Sequence, residues 1–199
     1  QSRMTTTRDT LIDTATELFL GRNFGAVGTT ELCKSAGVNK GTLYHYFPSK
    51  SDLLAAAIER YATSFGQAFR VIADSGAAPE DKLRQLFDVP ARANRDWKAR
   101  HGFAQGCLVG NMSLELGAVD TPVREAIKHA LTTWKAPVRD ILHQLIETGS
   151  LARIDCDKGA DVVIGLIQGG LLLAKAQNDP SHITLLAPGA LSHLNSLKP

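Results

Sequence analysis

The chain has 199 residues, of which 44% are hydrophobic and 21% are charged, and its formal net charge is only +2. These proportions are ordinary for a soluble globular protein, and the small net charge excludes bulk basicity as an argument for nucleic-acid binding. No run of about 18 apolar residues is free of charges or helix breakers, so we expect no membrane segment. The start lacks a signal-peptide pattern, and three widely spaced cysteines favour a reducing compartment over a disulfide framework. We therefore expect a cytoplasmic protein.

Helical periodicity accounts for every regular pattern along the chain, and no segment shows convincing strand alternation. The predicted helices cover residues 5–22, about 30–36, 40–47, 50–73, 79–95, 104–117, 121–148, 157–177 and 181–197. We therefore predict an all-α fold of about nine helices.

Residues 27–54 carry the most informative pattern in the chain. Gly37 is placed to end one short helix in a left-handed conformation that a side chain would disfavour. Asn39 is placed to cap the next helix, and Pro48 stops it. Two short helices that meet at a tight glycine turn indicate helix-turn-helix geometry.

The chemistry of this segment suits DNA. Three lysines and no acidic residue lie between Glu31 and Asp52, so this surface should attract phosphate groups. The first turn of the second helix is the part that reaches base edges in the major groove, and tyrosine hydroxyls can donate to phosphate oxygens. A plain helical hairpin with a solvated lysine face is the alternative. Thr29 or Thr30 is the expected cap of the first helix. The predicted DNA-binding residues are Thr29, Thr30, Lys40, Gly41, Thr42, Tyr44, Tyr46 and Lys50.

The order of residues 37–54, GVNKGTLYHYFPSKSDLL, closely resembles the DNA-binding domain of the TetR repressor family. The resemblance implies a DNA-binding helix-turn-helix domain at residues 1–50 and a helical ligand-binding and dimerisation domain at residues 51–199. It also implies that the partners are double-stranded DNA with a palindromic operator, a second copy of the chain, and a small-molecule inducer.

Residues 157–177 are apolar nearly all round, so a helix there must be buried on more than one side. Gly165, Gly169 and Gly170 would let another helix approach closely, and a monomer core explains this as well as a subunit interface does. A palindromic operator requires two recognition helices about 34 Å apart. The last two helices form the dimer interface in the TetR family, and the resemblance places that interface at residues 157–197.

Cys107 is the candidate for chemistry, although a free cysteine is commonly a small buried core residue. The run Gly106-Cys107-Leu108, with Asn111 and the distant Lys175, resembles a TetR subgroup that senses electrophiles and oxidants and includes the repressor of N-ethylmaleimide reductase. The resemblance implies that Cys107 is the sensor and that Lys175 pairs with it, because a neighbouring ammonium favours the reactive thiolate. The same pattern occurs in relatives that bind small ligands without thiol chemistry.

Several aromatic and apolar residues are candidates for lining a ligand pocket, with core packing as their commoner role, and Gln168 shares a helical face with Lys175. The histidines are scattered without metal-ligand spacing, so we expect neither a metal ion nor a cofactor. The full predicted ligand or sensor set is Cys107, Lys175, Trp97, Phe103, Asn111, Met112, Trp134 and Gln168.

These patterns predict a DNA-binding repressor, not an enzyme, released by an electrophile or oxidant at Cys107 or alternatively by a non-covalent ligand. A cysteine-dependent enzyme with His101 as its base is the remote alternative, since the chain has no phosphate loop, dinucleotide fingerprint or nucleophile elbow. A constitutive DNA-binding protein with a filled core is a third interpretation.

Overall fold

The computed structural model describes residues 6–197. These residues form ten α-helices and one 3-10 turn at Phe24–Ala26, and no β-strand occurs among them. The helices are α1 (Thr7–Gly21), α2 (Thr29–Ala36), α3 (Lys40–Tyr46), α4 (Lys50–Ala73), α5 (Pro79–His101), α6 (Leu108–Leu116), α7 (Thr121–Glu147), α8 (Cys156–Gln177), α9 (Ser181–Leu185) and α10 (Ala187–Ser196). The predicted all-α fold is confirmed; residue 5, where the first helix was predicted to begin, lies outside the described residues.

The helix bounds differ from the predicted ones in three places. The helix predicted over residues 181–197 is divided at Leu186, because Pro188 lacks the amide that would donate to the carbonyl of Thr184. The helix predicted to end near residue 95 continues to His101, where Gly102 ends it with φ 84°. The helix predicted to begin at residue 104 begins at Leu108 instead.

Residues 6–62 and 108–130 form one compact unit. It contains α1 to α3, the first half of α4, all of α6 and the beginning of α7. Thr6 caps α1 in a reciprocal pair with Asp9, and Arg60 of α4 donates to Asp9 and Asp13. The apolar faces of these helices meet in a core that includes Leu11, Ile12, Phe19, Leu32, Leu43, Leu53, Leu54, Ile58 and Met112, all fully buried.

Residues 63–107 and 131–197 form the second compact unit. Within it α8 packs against α5, α9 and α10, and α5 also contacts α9 and α10. A Cβ atom on Gly170 would lie 2.9 Å from the Cα atom of Ile183, so only glycine allows α9 to approach α8 this closely. The glycine is therefore required for packing inside this unit.

Among the described residues, α8 is the one helix long and apolar enough to cross a membrane by length and composition. The buried core helix of a soluble protein passes the same test. Here Val163, Ile167 and Leu171 are buried, and the side of α8 on which they lie packs within the second unit.

Candidate DNA interface and sensor site

The turn between α2 and α3 has the geometry that the sequence predicted. Gly37 adopts the left-handed conformation with φ 67°, and the amide of Val38 donates to the carbonyl of Cys33 at 2.9 Å. The Asn39 side chain accepts from the amide of Thr42 at 2.8 Å and so caps α3. The predicted cap of α2 was wrong: Gly28 holds the cap position, and Thr29 is the first residue of the helix.

Most of the predicted DNA-binding residues are at the surface of α2 and α3. Lys40 and Gly41 are exposed at the beginning of α3, and Thr30 is exposed at the beginning of α2. The exposed fractions of Tyr44 and Tyr46 are 47% and 39%, which is high for large aromatic residues. Thr29 and Thr42 are half-buried, and the Thr42 hydroxyl donates to the side chain of Asn39 at 3.1 Å. Contact of any of these residues with DNA stays a prediction.

Lys50 differs from the other residues of this set. Its half-buried ammonium donates to the carbonyls of Phe24 and Val27 at 2.9 and 3.0 Å and lies 3.9 Å from the centre of the Phe24 ring. Burial lowers the pKa of Lys50, whereas the charge of Glu115 raises it. The ammonium therefore holds the turn that precedes α2.

Glu115 binds the amide groups of the same turn, whereas Lys50 binds its carbonyl groups. Its carboxylate accepts from the amides of Phe24 and Gly25 at 3.0 and 3.3 Å. Sequence reasoning missed this residue, although Glu115 is the single charged residue between Gly106 and Gly117. That isolated charge was the available signal.

A second contact joins the beginning of α4 to the beginning of α7 in the same unit. The Ser51 hydroxyl donates to Asp120 at 2.5 Å, and the other carboxylate oxygen of Asp120 accepts from the amide of Val123 at 3.0 Å. The α6–α7 segment therefore contacts the turn before α2 and the beginning of α4 through two carboxylates.

Cys107 lies in the second unit with 4% of its surface exposed. The side-chain amide of Gln168 donates to its sulfur atom at 3.4 Å. Lys175 lies on the same face of α8, two helical turns beyond Gln168, and is exposed. The predicted pairing of Lys175 with Cys107 stays a prediction.

The remaining predicted sensor residues divide between the two units. Trp97 is buried, stacks on His101 with ring centres 4.0 Å apart, and meets the edge of Phe103. Trp134, also buried, contacts Phe65 edge to face. Asn111 and Met112 belong to α6 in the first unit, where Met112 is part of the core.

Cys33 and Cys156 provide reference thiols for Cys107. Both are buried, with exposed fractions of 5% and 9%. Burial raises the pKa of the Cys156 thiol, and the carboxylates of Asp155 and Asp157 raise it further. We therefore expect Cys156 to be a poor nucleophile.

Two family models match the chain. Residues 11–57 match the model described as bacterial regulatory proteins, tetR family, and residues 79–188 match the tetracyclin repressor-like C-terminal domain. The chain belongs to the TetR family. Members of this family are transcriptional regulators rather than enzymes, and they bind DNA operators and small-molecule ligands.

Three relatives cover most of the chain. Transcriptional regulator AcuR from Cereibacter sphaeroides is 36% identical over 86% of this chain and 78% of its own length. The HTH-type transcriptional repressor NemR from Escherichia coli K12 is 31% identical over 72% of this chain and 68% of its own. A crystal structure of NemR in its reduced form covers 96% of this chain and 97% of that chain, with a TM-score of 0.76 and 26% identity. A crystal structure of regulatory protein TetR from Rhodobacter sphaeroides covers 94% of this chain and 98% of that chain, with a TM-score of 0.80 and 32% identity.

We predict that Lys40→Ala and Tyr44→Phe each weaken operator binding. Loss of a phosphate contact should reduce the salt dependence of binding by about one unit, whereas loss of a base contact should cost roughly 1–3 kcal/mol for the cognate sequence. Fluorescence anisotropy with labelled operator over a salt series measures both quantities.

Lys128→Ala is the matched control, since it removes one lysine charge from an exposed position on α7. We expect this variant to bind operator as the wild type does. Wild-type affinity and salt dependence in both Lys40→Ala and Tyr44→Phe would show that α3 does not read DNA.

Proposed function

We propose that this protein is a cytoplasmic TetR-type repressor that leaves a palindromic operator when an electrophile or oxidant modifies Cys107. Residues 1–50 form the DNA-binding domain in this proposal, and residues 51–199 form the sensing and dimerisation domain. The position of Cys107 is the observation that supports this proposal. Its thiol is buried and accepts a hydrogen bond from Gln168. Its backbone leads directly into Leu108, the first residue of α6.

The exposed beginning of α3 is the proposed reading surface. The helix contains no acidic residue after Lys40 and Gly41. The exposed tyrosines Tyr44 and Tyr46 add hydroxyl groups that can bind the phosphate backbone. A single α3 contacts one half of a palindrome. Two copies must therefore hold their α3 helices about 34 Å apart for tight binding.

The second copy is proposed to dock on the open side of α8. A Cβ atom on Gly165 would meet nothing within 4 Å, and one on Gly169 would meet only the Leu186 side chain, at 4.0 Å. Leu172 follows on this side with 57% of its surface exposed. This side differs from that of Gly170, which is filled by α9 of the same chain. Glycines and an exposed leucine at helical spacing suit close approach of a second α8.

The chemistry proposed for Cys107 is nucleophilic addition. The thiolate attacks the double-bond carbon of an electrophile such as N-ethylmaleimide, an S–C bond forms, and the resulting enolate takes a proton from water. The hydrogen bond from Gln168 favours the thiolate, because a donor stabilises the charged form of a thiol. Side chains of a helix lean toward its N-terminus, so Lys175 leans back toward Gln168.

The reduced form named for the NemR structure supports a redox-active group in that relative, and we extend this to Cys107 here.

The proposed path to DNA runs along α6. An adduct adds bulk at a residue that is 4% exposed, so Cys107 must move, and Leu108 moves with it through the peptide bond. The far end of α6 carries Glu115, whose carboxylate holds the amides of Phe24 and Gly25. Displacement of that carboxylate loosens the turn before α2 and with it the placement of α3.

A non-covalent ligand is the second candidate for release of the repressor. The observation that favours it is the indole N–H of Trp97, which is buried and has no hydrogen-bond partner within residues 6–197. A buried donor without an acceptor is costly, and a ligand carbonyl or carboxylate would remove that cost. In this alternative Cys107 is a core residue.

We predict that brief N-ethylmaleimide exposure modifies Cys107 faster than Cys33 or Cys156 and releases the operator. Lys175→Met should slow modification of Cys107, because it removes the ammonium that favours the thiolate. Peptide mass spectrometry over time measures the three rates in parallel with operator binding.

Cys107→Ser is the decisive variant, with Cys33→Ser as its matched control. We expect Cys33→Ser to be released by N-ethylmaleimide and Cys107→Ser to stay bound. If Cys107 reacts no faster than the other two thiols, or if Cys107→Ser is released normally, the inducer acts without a covalent bond to this residue.

We also predict a homodimer that Gly165→Leu dissociates. A Cβ atom at this position meets open space within the monomer, so we expect the variant to fold and to lose close approach of the second copy. Analytical ultracentrifugation at micromolar concentration compares it with Gly76→Ala, which alters a glycine of the α4–α5 loop that also has no neighbour within 4 Å. A monomeric wild type, or a Gly165→Leu dimer of unchanged stability, would place the interface elsewhere.

A further inference from the structure

The segment that joins α5 to α6, residues 102–107, lies outside the helices and yet enters the interior. Ala104, Gln105, Gly106 and Cys107 are all buried. Buried backbone amides and carbonyls need partners, because each one left unpaired costs about as much as a lost hydrogen bond. The partners of this segment therefore decide how firmly it is held.

Asn178 binds the beginning of the segment. It ends α8 in a left-handed conformation with φ 51°, and it is the one non-glycine residue with positive φ among residues 6–197. Its side-chain oxygen accepts from the amide of Ala104 at 2.8 Å, and its side-chain nitrogen donates to the carbonyl of Gly102 at 3.2 Å. One carboxamide thus binds a backbone donor and a backbone acceptor two residues apart.

Asn94 binds the end of the segment in the same way. This α5 residue is 1% exposed, and its oxygen accepts from the amide of Gly106 at 2.9 Å. Its nitrogen donates to the carbonyl of Gly106 and to that of Pro90, both at 3.1 Å. Gly106 itself has φ 73°, so the residue before Cys107 is fixed in a conformation that few other residues adopt.

The segment also runs beside α8. Asn178 contacts its first residues and Gln168 contacts Cys107, its last. Ten helical residues separate the two contacts, which corresponds to about 15 Å along the axis of α8. The segment therefore runs antiparallel to α8, from Asn178 toward Gln168.

We infer that Asn178 and Asn94 are positioning residues for Cys107. By holding the backbone at Gly102, Ala104 and Gly106, they keep the thiol buried against Gln168 and determine where α6 begins. The reactivity of Cys107 is therefore controlled by two carboxamides that do not touch its sulfur. This inference rests on the proposed sensing role of Cys107.

Asn178→Gly tests the inference without a cost to the helix end, because glycine adopts positive φ freely and only the carboxamide is lost. We expect the rate at which N-ethylmaleimide modifies Cys107 to rise roughly tenfold, since two hydrogen bonds no longer oppose opening of the segment. The rates of Cys33 and Cys156, measured in the same digest, should stay at their wild-type values. Hydrogen exchange at the amides of Ala104 and Gly106 should rise with the rate of Cys107.

Asn178→Asp keeps the acceptor for Ala104 but turns a carboxylate oxygen toward the carbonyl of Gly102, so its Cys107 rate should also exceed that of the wild type. An unchanged Cys107 rate in Asn178→Gly would overturn the inference. An equal rise at all three thiols would also overturn it, because that result indicates general loosening.

Operator release separates this inference from the proposed function. If modified wild-type protein keeps its operator, Cys107 is not the sensor. A selective rise of the Cys107 rate in Asn178→Gly would still establish Asn178 as a positioning residue.

Discussion

The turn at residues 24–27 depends on two side chains of opposite charge, and the chain enters α2, the first helix of the helix-turn-helix, from that turn. Lys50 donates to two of its carbonyls and Glu115 accepts from two of its amides, so four backbone groups are paired by one ammonium and one carboxylate. Hydrogen bonds to charged groups are stronger than neutral ones and need both partners in place. Lys50 begins α4 and Glu115 lies near the end of α6, so the path of the chain into α2 is determined by two helices distant in sequence.

The proposed sensor uses the opposite end of α6. This helix has nine residues, about 13 Å of rise, with Glu115 near its end and Cys107 immediately before its first residue. Two asparagines and a glutamine hold the chain that leads into it. The first residue of α6, Leu108, is joined to Cys107 by a peptide bond, so a displacement of Cys107 reaches α6 directly. Modification of Cys107 is therefore proposed to act on the turn through a rigid element.

Local chemistry explains which features the sequence could predict. Gly37 and Asn39 each act on residues within five positions, so the turn and the cap of α3 followed from their identities. Lys50 and Glu115 act over 26 and 91 residues, and no local pattern encodes their partners. The beginning of α6 was placed four residues early for the same reason, since distant asparagines bind the backbone that a helix would otherwise use. Met112 is a candidate for lining a ligand pocket with core packing as its commoner role, and in the structure it is buried in the core of the first unit.

Modification of Cys107 is proposed to loosen the turn that Glu115 holds. Hydrogen exchange at the amides of Phe24 and Gly25, measured by NMR before and after N-ethylmaleimide treatment of the intact repressor, tests it most directly. The amide of Thr42, held by Asn39, serves as the internal reference. We expect exchange at Phe24 and Gly25 to increase roughly tenfold or more, because two hydrogen bonds to a charged group are lost, with Thr42 unchanged. Unchanged exchange at Phe24 and Gly25 in protein that has already released its operator would contradict the claim.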